Sequence, residues 1–226
     1  MFGLSLFAHI TSILAIAGVG LAALLGRYAG HRVQLRFIIP LLVITVTAVA
    51  YYLSVLTPYS ARYTADYSAR LQPMHYALLT AGSGAIVYML ATRSTTVVTA
   101  VRKWLPVALL VSIWLSALYA LFLREGGGAL PAHDAAGLRT FTGYYLSPLG
   151  LAAALVGWTI VIGRRFWNSS AFHIVAAIFA FFIFYKSRIV PEHFWMARRF
   201  LPIILPTSLL FIGAAAFTKT TMPTWP

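Results

Sequence analysis

The sequence has no cysteine and few charged side chains. Its 226 residues include 17 Lys and Arg but only 4 Asp and Glu, and charged residues make up 9% of the chain. The absence of cysteine excludes disulfides and thiolate metal sites. A soluble domain usually carries about 25% charged residues, whereas 61% of this chain is hydrophobic. The composition therefore predicts an integral, multi-pass protein of the cell membrane.

The net charge of +13 raises the question of what the basic residues bind. They lie in short loops between apolar runs and do not form one continuous basic domain. We therefore expect the headgroups of membrane lipids, and not nucleic acid, to be their partner.

Apolar stretches long enough to cross a bilayer recur along the chain. A spanning helix needs about 20 mostly apolar residues. The pattern predicts an all-α, polytopic transmembrane helical bundle of about seven spans, which forms a single domain over residues 1–226. Short interfacial helices are expected in the outer loops. The predicted spans are 3–26, 37–57, 75–92, 105–123, 144–163, 170–185 and 200–217.

The charges around the first span predict the orientation. No charged side chain precedes this span, whereas Arg27, Arg32 and Arg36 follow it. Because Lys and Arg favour the cytoplasmic side, the N-terminus is expected outside and the first loop inside. With this orientation every acid of the chain lies on the outer side, namely Asp66, Glu125, Asp134 and Glu192.

The segment between the last two predicted spans carries cations on the side where they are unexpected. Lys186, Arg188, Arg198 and Arg199 all lie in this outer segment, although outer loops usually contain few Lys and Arg. Planar guanidinium groups match the oxygens of a phosphate. The segment therefore indicates a clamp for a phosphate or pyrophosphate. The alternative is interfacial anchoring, in which the side chains reach the headgroup region without a ligand.

Further side chains of the same segment would support the clamp. Glu192 lies between Arg188 and Arg198 in the sequence and would orient their guanidinium groups by pairing with them. Trp195 is expected at headgroup depth against a lipid chain, and His193 lies beside these residues.

The outer loops contain the acids that could act as a general base. His133 and Asp134 are adjacent, so their side chains are expected to point in different directions. They could coordinate a metal or act as acid and base. The alternative is that Asp134 caps a short interfacial helix while His133 is solvated. Tyr145, which follows in the same loop, is expected in an aromatic belt at the interface.

The loop over residues 58–74 contains the other candidate base. Arg62, Asp66 and Arg70 share one helical face at four-residue spacing, which is typical of a helix lying along the membrane surface. Asp66 could be a catalytic base or a local ion-pair partner, and the same alternatives apply to Glu125.

Two motifs on the outer side resemble a known family. The run Trp195-Met-Ala-Arg198-Arg199-Phe-Leu-Pro202-Ile-Ile-Leu-Pro206 resembles the W-x-x-R-R-F-x-P-x-x-x-P segment of prokaryotic GT-C membrane glycosyltransferases. The earlier stretch Tyr144-Tyr145-Leu-Ser-Pro148-Leu-Gly150 is similar to the W-Y-L-S-x-x-G part of the stretch that precedes it in that family. The resemblance covers roughly residues 130–215 and is mannosyltransferase-like.

The resemblance implies an enzyme that takes a sugar from a polyprenyl-phosphate carrier and transfers it on the extracytoplasmic face. Arg198 and Arg199 would hold the carrier phosphate, and Lys186 and Arg188 would assist. Asp134 or Asp66 would be the catalytic base. The stretch that contains His133, Arg139 and Tyr145 would support the site. No cofactor is implied, and a divalent cation is left open.

The chain also departs from the family pattern. Members usually have more spans and carry their catalytic acid in an early outer loop, whereas seven spans are predicted here. The chain is therefore expected to be a C-terminal half, a split subunit or a truncated copy, and in a split enzyme a partner subunit would supply the acidic loop. The other hypothesis is a non-catalytic membrane module that binds or moves a polyprenyl-phosphate lipid. An indispensable acid would favour the transferase over the module.

Overall fold

The computed structural model describes residues 12–31, 35–55, 94–127, 132–186 and 201–218, together with isolated positions between 73 and 88. Nearly all of these residues are helical, and none of them lies in a β-strand, so the prediction of an all-α chain is confirmed. The helices are α1 Ser12–Tyr28, α2 Leu35–Ser54, α3 Thr95–Leu118, a π-helix Tyr119–Leu123, α4 Ala132–Ala135, α5 Gly137–Tyr144, α6 Pro148–Arg165, a 3-10 turn Trp167–Ser169, α7 Ser170–Lys186 and α8 Leu201–Phe217.

The Cα positions group into two compact units. The first takes its residues from Met1–Ile16 and Ala23–Val101, and the second from Ala17–Ala22 and Arg102–Pro226. In the first unit, α2 buries Leu41 and Ala48, which are seven residues apart and therefore lie on one face of the helix. The second unit contains the candidate site described below.

One helix is clearly long and apolar enough to cross a membrane. Among the described residues it is Thr95–Leu123, a continuous stretch of 29 residues that combines α3 with the π-helix. Gly137–Tyr144 and Pro148–Gly163 meet at a bend of 107° and would make a second span if they form one broken helix. Shorter apolar helices cover Leu14–Tyr28, Ile39–Tyr51, Trp167–Phe181 and Ile203–Phe217.

Helix α6 packs most extensively against α8. A Cβ on Gly157 would overlap the backbone carbonyl of Phe211, so the glycine lets the two helices approach closely. The neighbouring Trp158 ring lies 4.7 Å from the Phe211 ring, edge to face.

Helices α6 and α7 follow each other closely in the chain. The turn Trp167–Ser169 joins them, and the ring of Trp158 lies 5.5 Å from that of His173. On the neighbouring helix α3, the Trp114 Nε1 donates a hydrogen bond of 3.1 Å to the Thr159 hydroxyl of α6.

Candidate functional site

The short helices α4 and α5 carry the sequence-predicted site residues that the structure describes. Both pack against α7, and α5 also contacts the π-helix and the start of α6. At the preceding turn, a Cβ on Gly126 would lie 2.6 Å from the Cα of Ala132, so a glycine is needed for the backbone to pass the start of α4. The loop between α3 and α6 is therefore packed against the helices over residues 132–144.

Asp134 is buried and lies inside α4. Only 1% of its side chain is exposed, and it has an interaction partner. The interpretation of Asp134 as a helix cap is wrong, because Asp134 is part of α4 and the residue that precedes α5 is Ala136, which makes no side-chain cap. A carboxylate at this depth is a group that the fold holds away from bulk water.

His133 approaches the Asp134 carboxylate. Its Nε2 lies 3.9 Å from the Asp134 Oδ1, and 31% of the His133 side chain is exposed. The expectation that adjacent side chains point apart is therefore wrong for this pair. Since imidazole can exchange a proton near neutral pH, the pair combines a half-exposed titratable ring with a buried acid behind it.

Two arginines lie near the end of the π-helix. Arg124 is buried, with 5% exposure, and its N–H donates a π-type hydrogen bond of 2.9 Å to the Tyr119 carbonyl. The exposed Arg139 of α5 donates from Nη2 to the Arg124 carbonyl at 2.9 Å. This contact ties α5 to the end of the long helix and fixes one side of the Arg139 guanidinium.

The two tyrosines at the end of α5 differ in environment. Tyr144 is 82% exposed. The Tyr145 ring stacks on Phe141 at 6.0 Å between centroids. Ser147 then caps α6 by accepting a hydrogen bond of 3.1 Å from the Gly150 N–H, with Pro148 at the first helical position. These contacts fix α5 against α6 at the bend.

The basic segment is described only at its two ends. Helix α7 ends at Lys186 and α8 begins at Leu201. Several sequence-predicted site residues lie outside the described part of the chain: Asp66, Arg188, Glu192, His193, Trp195, Arg198 and Arg199. Of Lys186 the structure gives the position in α7 alone.

A second buried polar group lies within the aromatic core. His173 has no exposed surface, and neither of its ring nitrogens has a hydrogen-bond partner among the described residues. Its ring stacks with Phe166 at 5.7 Å and with Phe211 at 6.2 Å. Polar groups at such depth normally bond to a partner on another helix, whereas aromatic rings surround His173 here. An isolated histidine in an apolar run was the only signal in the sequence.

Among the described residues, no group of three or more His, Asp or Glu side chains is placed to hold a metal ion. The His133 and Asp134 pair offers two ligands, which are fewer than a structural or catalytic metal usually takes from protein.

Comparison with known proteins gives no match: no protein-family model, no curated protein and no solved structure is similar to this chain. The similarity of the two short motifs to GT-C glycosyltransferases stays a prediction.

Proposed function

We propose that the chain is a membrane glycosyltransferase, or the C-terminal half of one. In this proposal it transfers a sugar from a polyprenyl-phosphate carrier to a hydroxyl acceptor on the extracytoplasmic face. The chain crosses the cell membrane about seven times with its N-terminus outside, and a partner subunit supplies further residues if the chain is one half of a split enzyme.

Apolar side chains on the outside of the helices support a lipid environment. Leu115 of α3 and Phe122 and Leu123 of the π-helix are each more than 60% exposed, as is Leu210 of α8. In water, apolar surface costs about 25 cal/mol per Å², whereas lipid chains are as apolar as these residues. A bilayer around α3 and α8 removes that cost.

The observation that carries the proposal is the burial of Asp134 beside His133 on the short helix α4. A buried acid is costly unless it has partners or a role. The sequence between α7 and α8 contains Arg188, Arg198 and Arg199. An acid–base pair in a chain that also supplies guanidinium groups suits a reaction in which a hydroxyl loses a proton and a phosphate leaves.

The chemistry is a displacement at the anomeric carbon of the sugar. The acceptor oxygen forms a bond to that carbon as its proton passes to a base. The bond from the carbon to the carrier phosphate oxygen breaks, and the electron pair leaves with the phosphate. Guanidinium groups stabilise the growing negative charge, and loss of one such contact costs about 2–4 kcal/mol by analogy with oxyanion donors.

Transfer in proteoliposomes tests the proposal. The purified chain is reconstituted with radiolabelled polyprenyl-phosphate-linked mannose, glucose or galactose and with an octyl hexoside as acceptor. We expect transfer from one of the carriers, and we expect Asp134→Asn to lower its rate by about 10-fold or more, as expected when a proton-transfer site is disturbed. Lys103→Gln is the control, because Lys103 is an exposed residue of α3 to which no role is assigned.

Carrier binding separates the transferase from the alternative. Arg198→Gln and Arg199→Gln are expected to weaken binding of undecaprenyl phosphate to the reconstituted protein. Binding that depends on these arginines, without transfer from any carrier, would identify a non-catalytic lipid-binding module. Binding unchanged in the double variant would refute the phosphate clamp.

The membrane side of the segment can be measured directly. Because the chain has no cysteine, His193→Cys and Arg102→Cys each introduce a single thiol. A membrane-impermeant maleimide added to intact cells is expected to label position 193 and not position 102. The reverse result would place the basic segment in the cytoplasm and overturn the proposal.

A further inference from the structure

We infer that His133 is the group that takes the proton from the acceptor hydroxyl, and that Asp134 orients His133 without touching the acceptor. This assignment rests on the proposed transferase function and specifies which residue of the outer loop is the base. The sequence predicted that an acid such as Asp134 would be the base, whereas this assignment makes His133 the base and Asp134 the residue that positions it.

Exposure is the first reason for this assignment. A general base must come within about 2.6–3.2 Å of the proton donor's oxygen. The side chain of Asp134 is 1% exposed, whereas that of His133 is 31% exposed. An acceptor arriving from outside therefore meets the imidazole, and the carboxylate lies behind it.

The contact between the two side chains is the second reason. The Nε2 of His133 faces the Oδ1 of Asp134 at 3.9 Å. A carboxylate on this side favours the tautomer with the proton on Nε2, which leaves the lone pair of Nδ1 free to accept a proton. Catalytic hydrogen bonds are often long in ligand-free proteins and shorten when substrate binds.

The packing of α4 is the third reason, because a positioning acid has to be held in place. Ala135, next to Asp134, is 1% exposed, and α4 packs against α7. The close approach of Gly126 to Ala132 fixes the other end of the same short helix. Asp134 is thereby attached to the helical core, and His133 extends from it.

The proton transfer completes the displacement. As the acceptor oxygen bonds to the anomeric carbon, its proton moves to the His133 Nδ1, which gives an imidazolium next to the Asp134 carboxylate. The bond to the carrier phosphate breaks with its electron pair on the phosphate. The imidazolium then releases the proton to solvent through the exposed side of the ring. The buried charge of Asp134 stabilises the imidazolium during this step.

Other ionisable groups lie on the described elements around α4 and affect the electrostatic potential at His133 and Asp134. Arg139 on α5 is exposed, and Arg124 at the end of the π-helix is buried. Tyr144 is the last residue of α5, and Tyr145 follows it. Glu125 follows Arg124 in the chain. Helix α7 carries His173 near its start and Lys186 at its end. Asp134 is the buried acid in this set, and it is the acid that contacts the His133 ring.

Variants of the pair in the proteoliposome assay test the inference. We expect His133→Gln to lower the transfer rate by about 100-fold or more, within the range for removal of a general base. Asp134→Asn is expected to lower it less, because the imidazole remains. Imidazole added to the buffer is expected to restore part of the rate of His133→Gly and none of the rate of Asp134→Asn. Lys103→Gln again serves as the control.

The pH profile adds a readout that a merely structural role would not change. The dependence of the transfer rate on pH is expected to change shape in His133→Gln and to keep the shape of the natural chain in Lys103→Gln. Melting curves of both variants establish that they are folded.

Different results refute different claims. No transfer by the natural chain refutes the proposed function, and the role of His133 with it. Transfer by the natural chain that persists in a folded His133→Gln variant refutes only the role of His133. A larger loss in Asp134→Asn than in His133→Gln, without rescue by imidazole, would assign the base to Asp134.

Discussion

The contact between Gly157 and Phe211 predicts how α6 and α8 respond to one added methyl group. A Cβ at position 157 would overlap the Phe211 carbonyl, and a backbone carbonyl in a helix cannot rotate away as a side chain can. Forcing extra volume into such a contact costs about 1–3 kcal/mol. Separation of the helices would also weaken the 4.7 Å contact of Trp158 with Phe211, worth about 0.5–1.5 kcal/mol.

Alanine also has a favourable effect that must be subtracted. In a helix interior Ala is more favourable than Gly by about 1 kcal/mol. The net expectation for Gly157→Ala is a destabilisation of about 2 kcal/mol when the two costs and this gain are combined. Gly213→Ala in α8 is the matched control, because a Cβ there has no described neighbour within 4 Å. This control is expected to be neutral or up to about 1 kcal/mol more stable.

Unfolding in mixed dodecyl maltoside and SDS micelles measures both variants, with the fluorescence of the 6 tryptophans as the signal. Gly157→Ala is expected to unfold at a lower SDS fraction than the natural chain, and Gly213→Ala at the same or a higher fraction. If the two alanine variants unfold at the same SDS fraction, the close approach of α6 and α8 at Gly157 is refuted.

Three further sets of variants are measured by the same unfolding assay. Trp114→Phe and Thr159→Val each remove the hydrogen bond between the two side chains, so each is expected to lower the free energy of unfolding by about 1 kcal/mol. The double variant is expected to lose less than the sum, and full additivity would contradict a bond between them. Ser147→Ala removes the cap that accepts from Gly150 and is expected to cost about 1 kcal/mol, whereas Ser147→Asp should retain stability. Tyr28→Phe removes a buried hydroxyl that has no partner among the described residues. The variant is expected to raise the free energy of unfolding by about 1 kcal/mol. A lower free energy of unfolding would instead reveal a hydrogen bond to that hydroxyl.

The sequence predicted which stretches are helical more accurately than it predicted where each helix begins and ends. The span predicted over 170–185 agrees closely with α7, Ser170–Lys186, because apolar residues fill it from end to end. The span predicted over 105–123 begins too late, since the helix starts at Thr95. Arg102 and Lys103 lowered the local hydropathy there, yet both side chains are exposed, and long basic side chains can remain solvated from within a helix.

The start of α6 shows a local signal that the hydropathy pattern outweighed. The span was predicted from residue 144, whereas α6 begins at Pro148. Ser147 followed by Pro148 is a typical helix start, with serine as the cap and proline at the first helical position. The predicted span included Tyr144 and Tyr145 because it was based on apolar content alone. In the structure the chain bends by 107° between α5 and α6.

The candidate site was predictable in residue identity and not in arrangement. Local rules identified His133 and Asp134 as a polar pair in an outer loop. The burial of Asp134 depends on the packing of α4 against α7, and α7 begins more than thirty residues later in the chain. Such a contact between distant segments leaves no trace in local spacing, so the sequence left Asp134 open between a catalytic group and a helix cap and did not predict its burial.

The π-helix at Tyr119–Leu123 sets the direction in which the chain leaves the long helix. A π-turn accommodates one more residue than an α-turn, and successive residues of an α-helix are about 100° apart around the axis. Removing one residue from this stretch would restore α-helical winding and rotate everything beyond it by about that angle. The Arg124 carbonyl would then face away from Arg139. The length of this five-residue stretch therefore determines the direction of the segment that follows it, and a one-residue deletion there is expected to be more disruptive than most substitutions in that segment.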